Sequence, residues 1–186
     1  MKVILKIGIV VVLLNAILMV IASVTFDKAH ERYERMKCQY NLQQLGKSFN
    51  IYLLDIGKQK FYPSKDGQGF LLELYRERIL IETEVYLCNK TNDKNSGEEL
   101  QNAPDLGDAD GPVSYAGRRN ADQGLYPGIF RANADVKTTP IVSDDIGEPH
   151  NNHENGEIFN FLFLDGHVEA KRTDSTSFPD LSVITN

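Results

Sequence analysis

Apolar residues fill the first part of the chain almost without interruption. Residues 7–24 read IGIVVVLLNAILMVIASV, with no charge and no proline, and the polar side chains in this run are Asn15 and Ser23. At about 1.5 Å of rise per residue, a helix of this run is roughly 27 Å long, close to the hydrocarbon thickness of a bilayer. The pattern predicts a membrane-spanning helix, with Lys2 and Lys6 extending toward the lipid headgroups.

The same run also has features of a secretory signal that is removed from the mature protein. Its apolar core is longer than that of a usual signal peptide, about 7–15 residues, and no clean small-x-small cleavage site follows it. A membrane anchor is therefore the preferred interpretation. A cleaved signal, which would leave a secreted soluble domain, and a buried core helix are the alternatives.

After residue 24 the pattern changes without a helix breaker. Residues 27–55 contain no proline, and apolar residues recur every three or four positions, which marks one stripe along an α-helix. The stripe consists of Cys38, Leu42, Leu45, Phe49, Tyr52 or Leu53, and Ile56. We therefore expect a single helix, ended by Gly57, whose first part lies in lipid and whose second part packs against a soluble domain.

Shorter elements are predicted in the rest of the chain. Apolar residues at helical spacing predict a short helix from about Gln68 to Arg78. Short extended segments are expected at 85–88, 114–116 and 139–143, with either an irregular segment or a bent strand over 124–131. Residues 92–112 are polar, acidic and rich in turn formers, so we expect a surface loop there.

The clearest β pattern lies near the end of the chain, where Asp165-Gly166 separates two extended runs. Asp-Gly favours a two-residue type I′ turn, which would pair Phe163 with Val168. One face of this hairpin would then carry Phe159, Phe161, Phe163, Val168 and Ala170. We expect that face to pack on the helix stripe.

These elements predict an α+β fold in which a long N-terminal transmembrane helix packs, in its outer half, on a small antiparallel β-sheet. The expected organisation is an anchor at 1–26, an amphipathic continuation of the helix at 27–57, an α+β domain at 58–172, and a polar, loosely held tail at 173–186. The net charge is −6 and the basic residues are scattered, so a nucleic-acid partner is not expected.

The chain has two cysteines, Cys38 and Cys88. An even count beside an export-type segment favours a disulfide formed in an oxidising compartment. Closing a loop of about 50 residues would stabilise the domain by about 3–4 kcal/mol in the chain-entropy model. Two unpaired buried thiols, in a domain that faces the cytosol, are the alternative.

Several motifs together resemble the pilin-like proteins related to type II secretion pseudopilins. They are Cys38, Asn41, Leu42, Leu45 and Gly46 after the hydrophobic segment, then VYLCN, then Ser-Tyr-Ala, and finally NHENGEIFNFLFLDGHVEA. The resemblance is closest to the large branch of these proteins that is common in planctomycete-type bacteria. The C-terminal signature of that branch is a histidine, about nine residues and then Asp-Gly. Here eleven residues, 154 to 164, separate His153 from Asp165.

The prepilin leader of that family is not matched. Family members carry a basic leader ending in glycine and a glutamate at the fifth mature position. If Gly8 ends the leader, the fifth mature residue is Leu13. If the chain is aligned on Ala29 and Cys38 instead, the mature start lies near Val3 and Ile7 takes the glutamate position. An uncleaved single-pass anchor is therefore expected.

The resemblance implies a non-enzymatic structural or secretion-associated protein of the cytoplasmic (inner) membrane, with its C-terminal domain outside the cytoplasm. Membrane lipid is then a partner, together with further copies of the chain or the secretion and pilus machinery. In this family the histidine of the signature braces the hairpin. The main alternative function is an extracytoplasmic metal-binding or metal-dependent enzyme domain built on the Asp/His-rich segment 144–167.

That segment supplies carboxylates and imidazoles, which are ligands for divalent metals. The candidates are Asp144, Asp145, His150, His153, Asp165 and His167. A metal-dependent enzyme requires that Asp144, His153 and Asp165 converge within a few Å. The alternative is turn chemistry, in which Asp and Asn side chains bond to the local backbone.

A second acidic segment, DLGDADG, contains Asp105, Asp108 and Asp110. It resembles a calcium loop but fails the EF-hand test, because Gly117 falls where the bidentate glutamate is needed. Major pseudopilins bind calcium in a C-terminal loop, so calcium or another divalent metal is the alternative to our expectation of no cofactor.

Overall fold

The computed structural model describes residues 2–58, 62–91, 93–105, 111–119, 136–144, 153 and 156–185, with side chains from residue 11 onward. The chain divides into two compact units, residues 1–33 and residues 34–186. Helix α1 (Lys2–Asp55) begins in the first unit and ends in the second, and its assignment is unbroken from Val24 to Cys38. The predicted continuous helix is therefore confirmed.

The first unit consists of the N-terminal part of α1. Every side chain from residue 11 to residue 30 is exposed within the protein. Three polar side chains bond to carbonyls about one turn earlier: Asn15 to Val11, Ser23 to Val20, and Thr25 to Ile21 and Ala22. These bonds satisfy their donors within the helix itself, which is the condition for a polar group in an apolar solvent.

In the second unit the predicted stripe of α1 is buried. Cys38, Leu42 and Leu45 are fully inaccessible and Phe49 is 1 % exposed. The Phe49 ring lies 4.5 Å from the Phe70 ring, centroid to centroid. An apolar stripe at a spacing of three or four residues thus becomes one buried side of the helix, as expected.

Among the described residues, one short helix packs against α1 through Phe70, and a second short helix packs against the first. Helix α2 (Gln68–Arg76) begins where predicted, ends two residues before the predicted Arg78, and buries one apolar side. Helix α3 (Gly97–Asn102) lies where we expected only a surface loop. The Ser96 hydroxyl caps it by accepting the Glu99 N–H, and Leu100 is fully buried. The serine cap and one anchoring leucine explain why this polar stretch is helical.

The predicted extended segment at residues 85–88 is wrong in its first half. Thr83–Tyr86 forms a 3-10 turn, and Leu87 after it is extended. The Tyr86 hydroxyl donates to the Leu80 carbonyl at 2.9 Å, so the buried ring ties the turn to the segment that precedes it. Asn41 on α1 donates to the carbonyl of Leu87 at 2.8 Å and so ties the helix to this segment.

Within the part of the chain that the structure describes, five antiparallel strands form the sheet in the order β4-β3-β2-β1-β5. Their bounds are β1 Tyr115–Arg118, β2 Pro140–Asp144, β3 Ile158–Phe163, β4 Val168–Arg172 and β5 Ile184–Thr185. Strands β1 and β2 lie close to the predicted segments, and Pro140 begins its strand as expected. The irregular segment or bent strand predicted over 124–131 lies outside the described residues.

The β3–β4 hairpin exists, but its predicted register is wrong by one residue. Leu162, not Phe163, pairs with Val168. Phe163 and His167 close the turn, since the Phe163 N–H donates to the His167 carbonyl at 2.9 Å. Gly166 takes a φ of 88°, whereas Asp165 does not adopt the positive φ that a type I′ turn needs. The result is a three-residue turn with glycine in the left-handed position.

The expectation that the phenylalanine face packs on α1 is also wrong. Phe159, Phe161 and Phe163 form a separate cluster, against which Phe178 and Leu181 pack. The opposite face, which carries Leu162, belongs to the core that contains Leu42 and Leu45. A Cβ added to Gly46 would come within 2.9 Å of Leu162 Cδ1, so the glycine allows the helix to approach this face.

The C-terminal tail is packed rather than loosely held. Phe178 lies 5.5 Å from the Phe161 ring, centroid to centroid. Strand β5 pairs with β1 through Gly117 and Arg118. The tail therefore covers the phenylalanine cluster and completes an edge of the sheet.

Candidate functional site

A buried polar cluster lies where β2 and β3 meet the disulfide. Cys38 on α1 is bonded to Cys88, which follows the 3-10 turn, with a Cα–Cα distance of 5.1 Å. This is the pairing that the sequence predicts. His153, Asp144 and Asn160 complete the cluster, and all three are fully inaccessible to solvent.

His153 contacts the disulfide directly. Its Nε2 lies 3.6 Å from Cys88 Sγ and 4.0 Å from Asp144 Oδ2. The His153 carbonyl accepts the N–H groups of Gly156 and Ile158, each at 3.2 Å. These backbone bonds hold the residue at the start of the β3–β4 hairpin, so its imidazole is directed inward.

Asp144 is the last residue of β2, and its carboxylate binds the neighbouring strand. Oδ2 accepts the Asn160 N–H at 2.8 Å and the Asn160 side-chain amide at 2.9 Å. Burial and, second, the negative charge of Asp144 raise the pKa of Tyr115 well above its ordinary value. The Tyr115 phenol is therefore neutral and donates to the Leu87 carbonyl at 3.3 Å.

A second Asp/His pair lies at the hairpin turn and is partly exposed. The Asp165 carboxylate accepts the His167 N–H at 3.1 Å and also bonds to His167 Nδ1. Partial burial works against ionisation of Asp165, but the two bonds from His167 outweigh it and lower the pKa of the carboxyl. The His167 ring stacks on Phe163 at 4.4 Å between centroids.

The metal-ligand candidates are thus divided between two places. Asp144 and His153 lie in the buried cluster, and Asp165 and His167 lie at the turn. Phe163, next to the turn, pairs with Pro140 at the start of β2, whereas Asp144 ends that strand. Four residues of strand span about 13 Å. The convergence of Asp144, His153 and Asp165 that a metal enzyme requires is therefore contradicted. Asp145 and His150 lie outside the described residues.

Asp105 belongs to an ion pair in the part of the calcium-like segment that the structure describes. Its carboxylate contacts Lys65 Nζ at 2.7 Å and Arg76 Nη1 at 2.8 Å. Hydrogen bonds from Lys65 and then Arg76 lower the pKa of Asp105. The two cations bind both Asp105 carboxylate oxygens, which a calcium ion would need as ligands. Asp108 and Asp110 lie outside the described residues.

Sequence reasoning missed two features of the buried cluster. The contact between Cys88 and His153 joins positions 65 residues apart, and no local pattern encodes it. Asn160 had a visible signal, since it is the polar residue within the apolar run IFNFLF. A polar residue that is buried there must find a partner, and the partner is Asp144.

Comparison with family models, curated proteins and solved structures found no match. The function must therefore be argued from the helix, the disulfide and the buried cluster themselves.

Proposed function

We propose that this chain is a membrane-anchored, pilin-like structural protein that does not act as an enzyme. The N-terminal part of α1 spans the cytoplasmic membrane once, and the unit of residues 34–186 lies outside the cytoplasm. Its role is to present a surface, or to assemble with further copies or with secretion machinery through its anchor.

The observation that carries this proposal is the apolar surface of α1. Within the described part of the chain, α1 is the one helix long and apolar enough to cross a membrane, with a mean hydropathy of 1.8 over 18 residues. Between residues 11 and 26 its large apolar side chains are about half to three-quarters exposed, from Val24 at 48 % to Met19 at 73 %. A continuous apolar surface of this kind marks a binding site for lipid or for another apolar partner.

The disulfide supports an extracytoplasmic position for the second unit. Disulfides persist in oxidising compartments and are rare in the reducing cytosol. Cys38 and Cys88 are 0 % and 2 % exposed, so the bond is part of the packed interior. An anchor followed by a disulfide-bonded domain is the order expected of a single-pass protein exported through its N-terminal helix.

The pilin-like part of the proposal is supported by the contact between α1 and the sheet. Gly46 faces Leu162 of β3, and the stripe residues Leu42 and Leu45 share a core with the sheet residue Val142. A long helix packed in its second half on a small antiparallel sheet is the architecture that the sequence resemblance implies, although the sheet uses the face opposite to the one we expected.

Membrane extraction combined with mass analysis of the N-terminus tests the proposal. In membranes from cells that make the full chain, we expect the protein to stay in the pellet at alkaline pH with an intact N-terminus. Release into the soluble fraction, with the chain cut after residue 24, would establish the secreted soluble domain instead. Trimming near Gly8 with methylation of the new terminus would place the chain among processed pilins.

A separate measurement tests whether the anchors assemble. A cysteine introduced for Ile17 lies on the apolar surface, and the native cysteines are already bonded to each other. Oxidation in the membrane should give a covalent dimer of Ile17→Cys. No dimer at this position or at Leu13, Leu14 and Val20 would leave the anchor as a monomeric attachment and contradict assembly through it.

A further inference from the structure

The buried cluster contains three groups that bind soft metals. Cys38 Sγ, Cys88 Sγ and His153 each offer one ligand atom, and these atoms lie within 4.8 Å of one another. In the disulfide state the two sulfurs are bonded to each other and cannot coordinate a metal. The same three side chains therefore have a second use only when the disulfide is open.

We propose that the reduced protein binds one zinc ion between Cys38, Cys88 and His153, so that disulfide formation and metal binding exclude each other. The site joins α1, the segment after the 3-10 turn and the start of the β3–β4 hairpin. Zinc would then connect the same elements that the disulfide connects in the oxidised protein. This inference rests on the geometry of the cluster and holds whether or not the chain is anchored in a membrane.

The distance from His153 to Cys88 already fits a tetrahedral zinc site, and the distance between the two sulfurs must increase. With Zn–S near 2.3 Å and Zn–N near 2.05 Å, a tetrahedral angle places sulfur and nitrogen about 3.6 Å apart. His153 Nε2 lies 3.6 Å from Cys88 Sγ. The same geometry places two sulfurs about 3.8 Å apart, whereas a disulfide holds them about 2 Å apart. One sulfur must therefore move by about 1.7 Å, the scale of a side-chain rotation.

Charge and burial select the metal. Two thiolates and a neutral imidazole around Zn²⁺ have no net charge, which suits residues that are at most 2 % exposed. Thiolate and imidazole are also the ligand types of zinc sites, whereas calcium and magnesium take oxygen ligands. Asp144, which approaches His153 Nε2 at 4.0 Å, is already bonded to Asn160, so its carboxylate orients the cluster rather than completing it.

The chemistry balances with a dithiol as the reductant. The dithiol supplies two electrons and two protons, the S–S bond breaks, two thiols form and the reductant becomes a disulfide. Zinc then displaces the two thiol protons and takes one lone pair from each thiolate and one from His153. Metal binding accordingly releases two protons and is stronger at higher pH.

The test is a metal titration of the full chain in detergent, with and without the disulfide. The protein is reduced with a dithiol, freed of reductant without oxygen, and titrated with Zn²⁺ and separately with Co²⁺. We expect one metal per chain in the reduced protein and none in the oxidised protein. The cobalt form should show the near-ultraviolet absorption of thiolate-to-cobalt charge transfer.

Two variants separate this site from adventitious binding. His153→Gln removes a ligand and should weaken zinc binding by at least about tenfold, the effect of losing even an outer partner of a metal ligand. His167→Ala removes an imidazole near Asp165 and Glu169, where a surface metal would bind, and should leave the affinity unchanged. Equal affinity in the oxidised protein or in His153→Gln, or absence of the charge-transfer band, would overturn the proposal.

Loss of structure on reduction gives a second readout. If opening the disulfide removes the near-ultraviolet circular dichroism of the tyrosines, zinc should restore that signal in the original chain and not in His153→Gln. A signal that zinc does not restore in the original chain contradicts the proposed site.

Discussion

The two parts of helix α1 are both apolar, but they meet different surroundings. In residues 11–26 the apolar side chains point in every direction and all are exposed within the protein. In residues 38–53 most of them lie on one stripe, whose residues from Cys38 to Phe49 are at most 1 % exposed, while Tyr40 and Ile51 lie off the stripe and are exposed. The comparison shows that apolar residues confined to one stripe of the helix become buried in the protein core, whereas apolar residues on all sides of it stay exposed.

The largest expected effect comes from placing charge in the first part. Leu14→Arg together with Leu18→Arg should move the chain out of the membrane fraction, because each change opposes insertion by about 3–4 kcal/mol. Alkaline extraction followed by quantitative immunoblotting measures the shift. Gln43→Arg with Asn50→Arg, at exposed positions of the second part, is the matched control and should stay in the membrane. Equal retention of both double variants would remove the distinction between the two parts.

The disulfide ties the second part of α1, through Cys38, to Cys88, and its removal should have the next largest effect. Cys38→Ala with Cys88→Ala should lower the free energy of unfolding of the domain by about 4 kcal/mol, the chain-entropy value for a loop of about 50 residues. Denaturant titration in detergent, followed by near-ultraviolet circular dichroism, measures it. Membrane retention should not change. A domain of unaltered stability would mean that packing alone holds α1 in place.

Truncation within the stripe should have an effect similar in size to that of losing the disulfide. Leu42→Ala or Leu45→Ala leaves a cavity in a fully buried site and should destabilise the domain by about 2–5 kcal/mol. Ile17→Ala removes the same kind of side chain from the first part and should leave the same unfolding transition unchanged. Should Ile17→Ala destabilise the domain as strongly, the first part would belong to the protein core.

The continuous helix, its buried stripe and the disulfide were predictable because each follows from local periodicity or from counting. The side of the sheet that meets α1 was not. Successive residues of IFNFLF point to opposite faces of β3, but Phe161 on one face and Leu162 on the other are both apolar. The pattern therefore does not show which face meets α1. In the structure, the tail residue Phe178 covers the Phe161 face and leaves the Leu162 face to α1. Asp-Gly predicted a hairpin, yet two- and three-residue turns share that signature and differ by one residue in register.

The candidate site was predictable only in part. Asp144 and His153 were named as candidate ligands from their residue types, and Cys38 and Cys88 as a disulfide. Their proximity arises from tertiary packing, which brings His153 against a sulfur 65 residues away in the chain. Spacing along the chain does not contain that information. The separation of Asp165 from Asp144 likewise depends on strand register.

The smallest expected effect concerns acid. Hydrogen bonds from Lys65 and Arg76 lower the pKa of Asp105 in the folded domain. Their contribution is therefore present above the unfolded pKa of about 4, and it is lost as the pH falls through the lower folded value. Because the pair is partly exposed, Asp105→Asn should lower stability by less than about 1 kcal/mol at pH 7.

The same acid titration sharpens the comparison between the two parts of α1. The difference in stability between Asp105→Asn and the original chain should shrink as the pH falls below about 4, as followed by denaturant titration across pH. Residues 11–26 carry no ionisable side chain, so membrane retention should not vary with pH. A membrane attachment that weakens in acid would indicate that charges, not the apolar run, hold the protein there.

The most direct measurement compares four single cysteines that the structure leaves similarly exposed. Val12→Cys, Leu18→Cys, Met36→Cys and Tyr40→Cys occupy positions that are 68, 62, 60 and 56 % exposed within the protein. In native membranes, a water-soluble maleimide should label the cysteines at 36 and 40 and spare those at 12 and 18, because the proposed anchor buries them in lipid. Equal labelling of all four would contradict the account, because the whole helix would then stand in water.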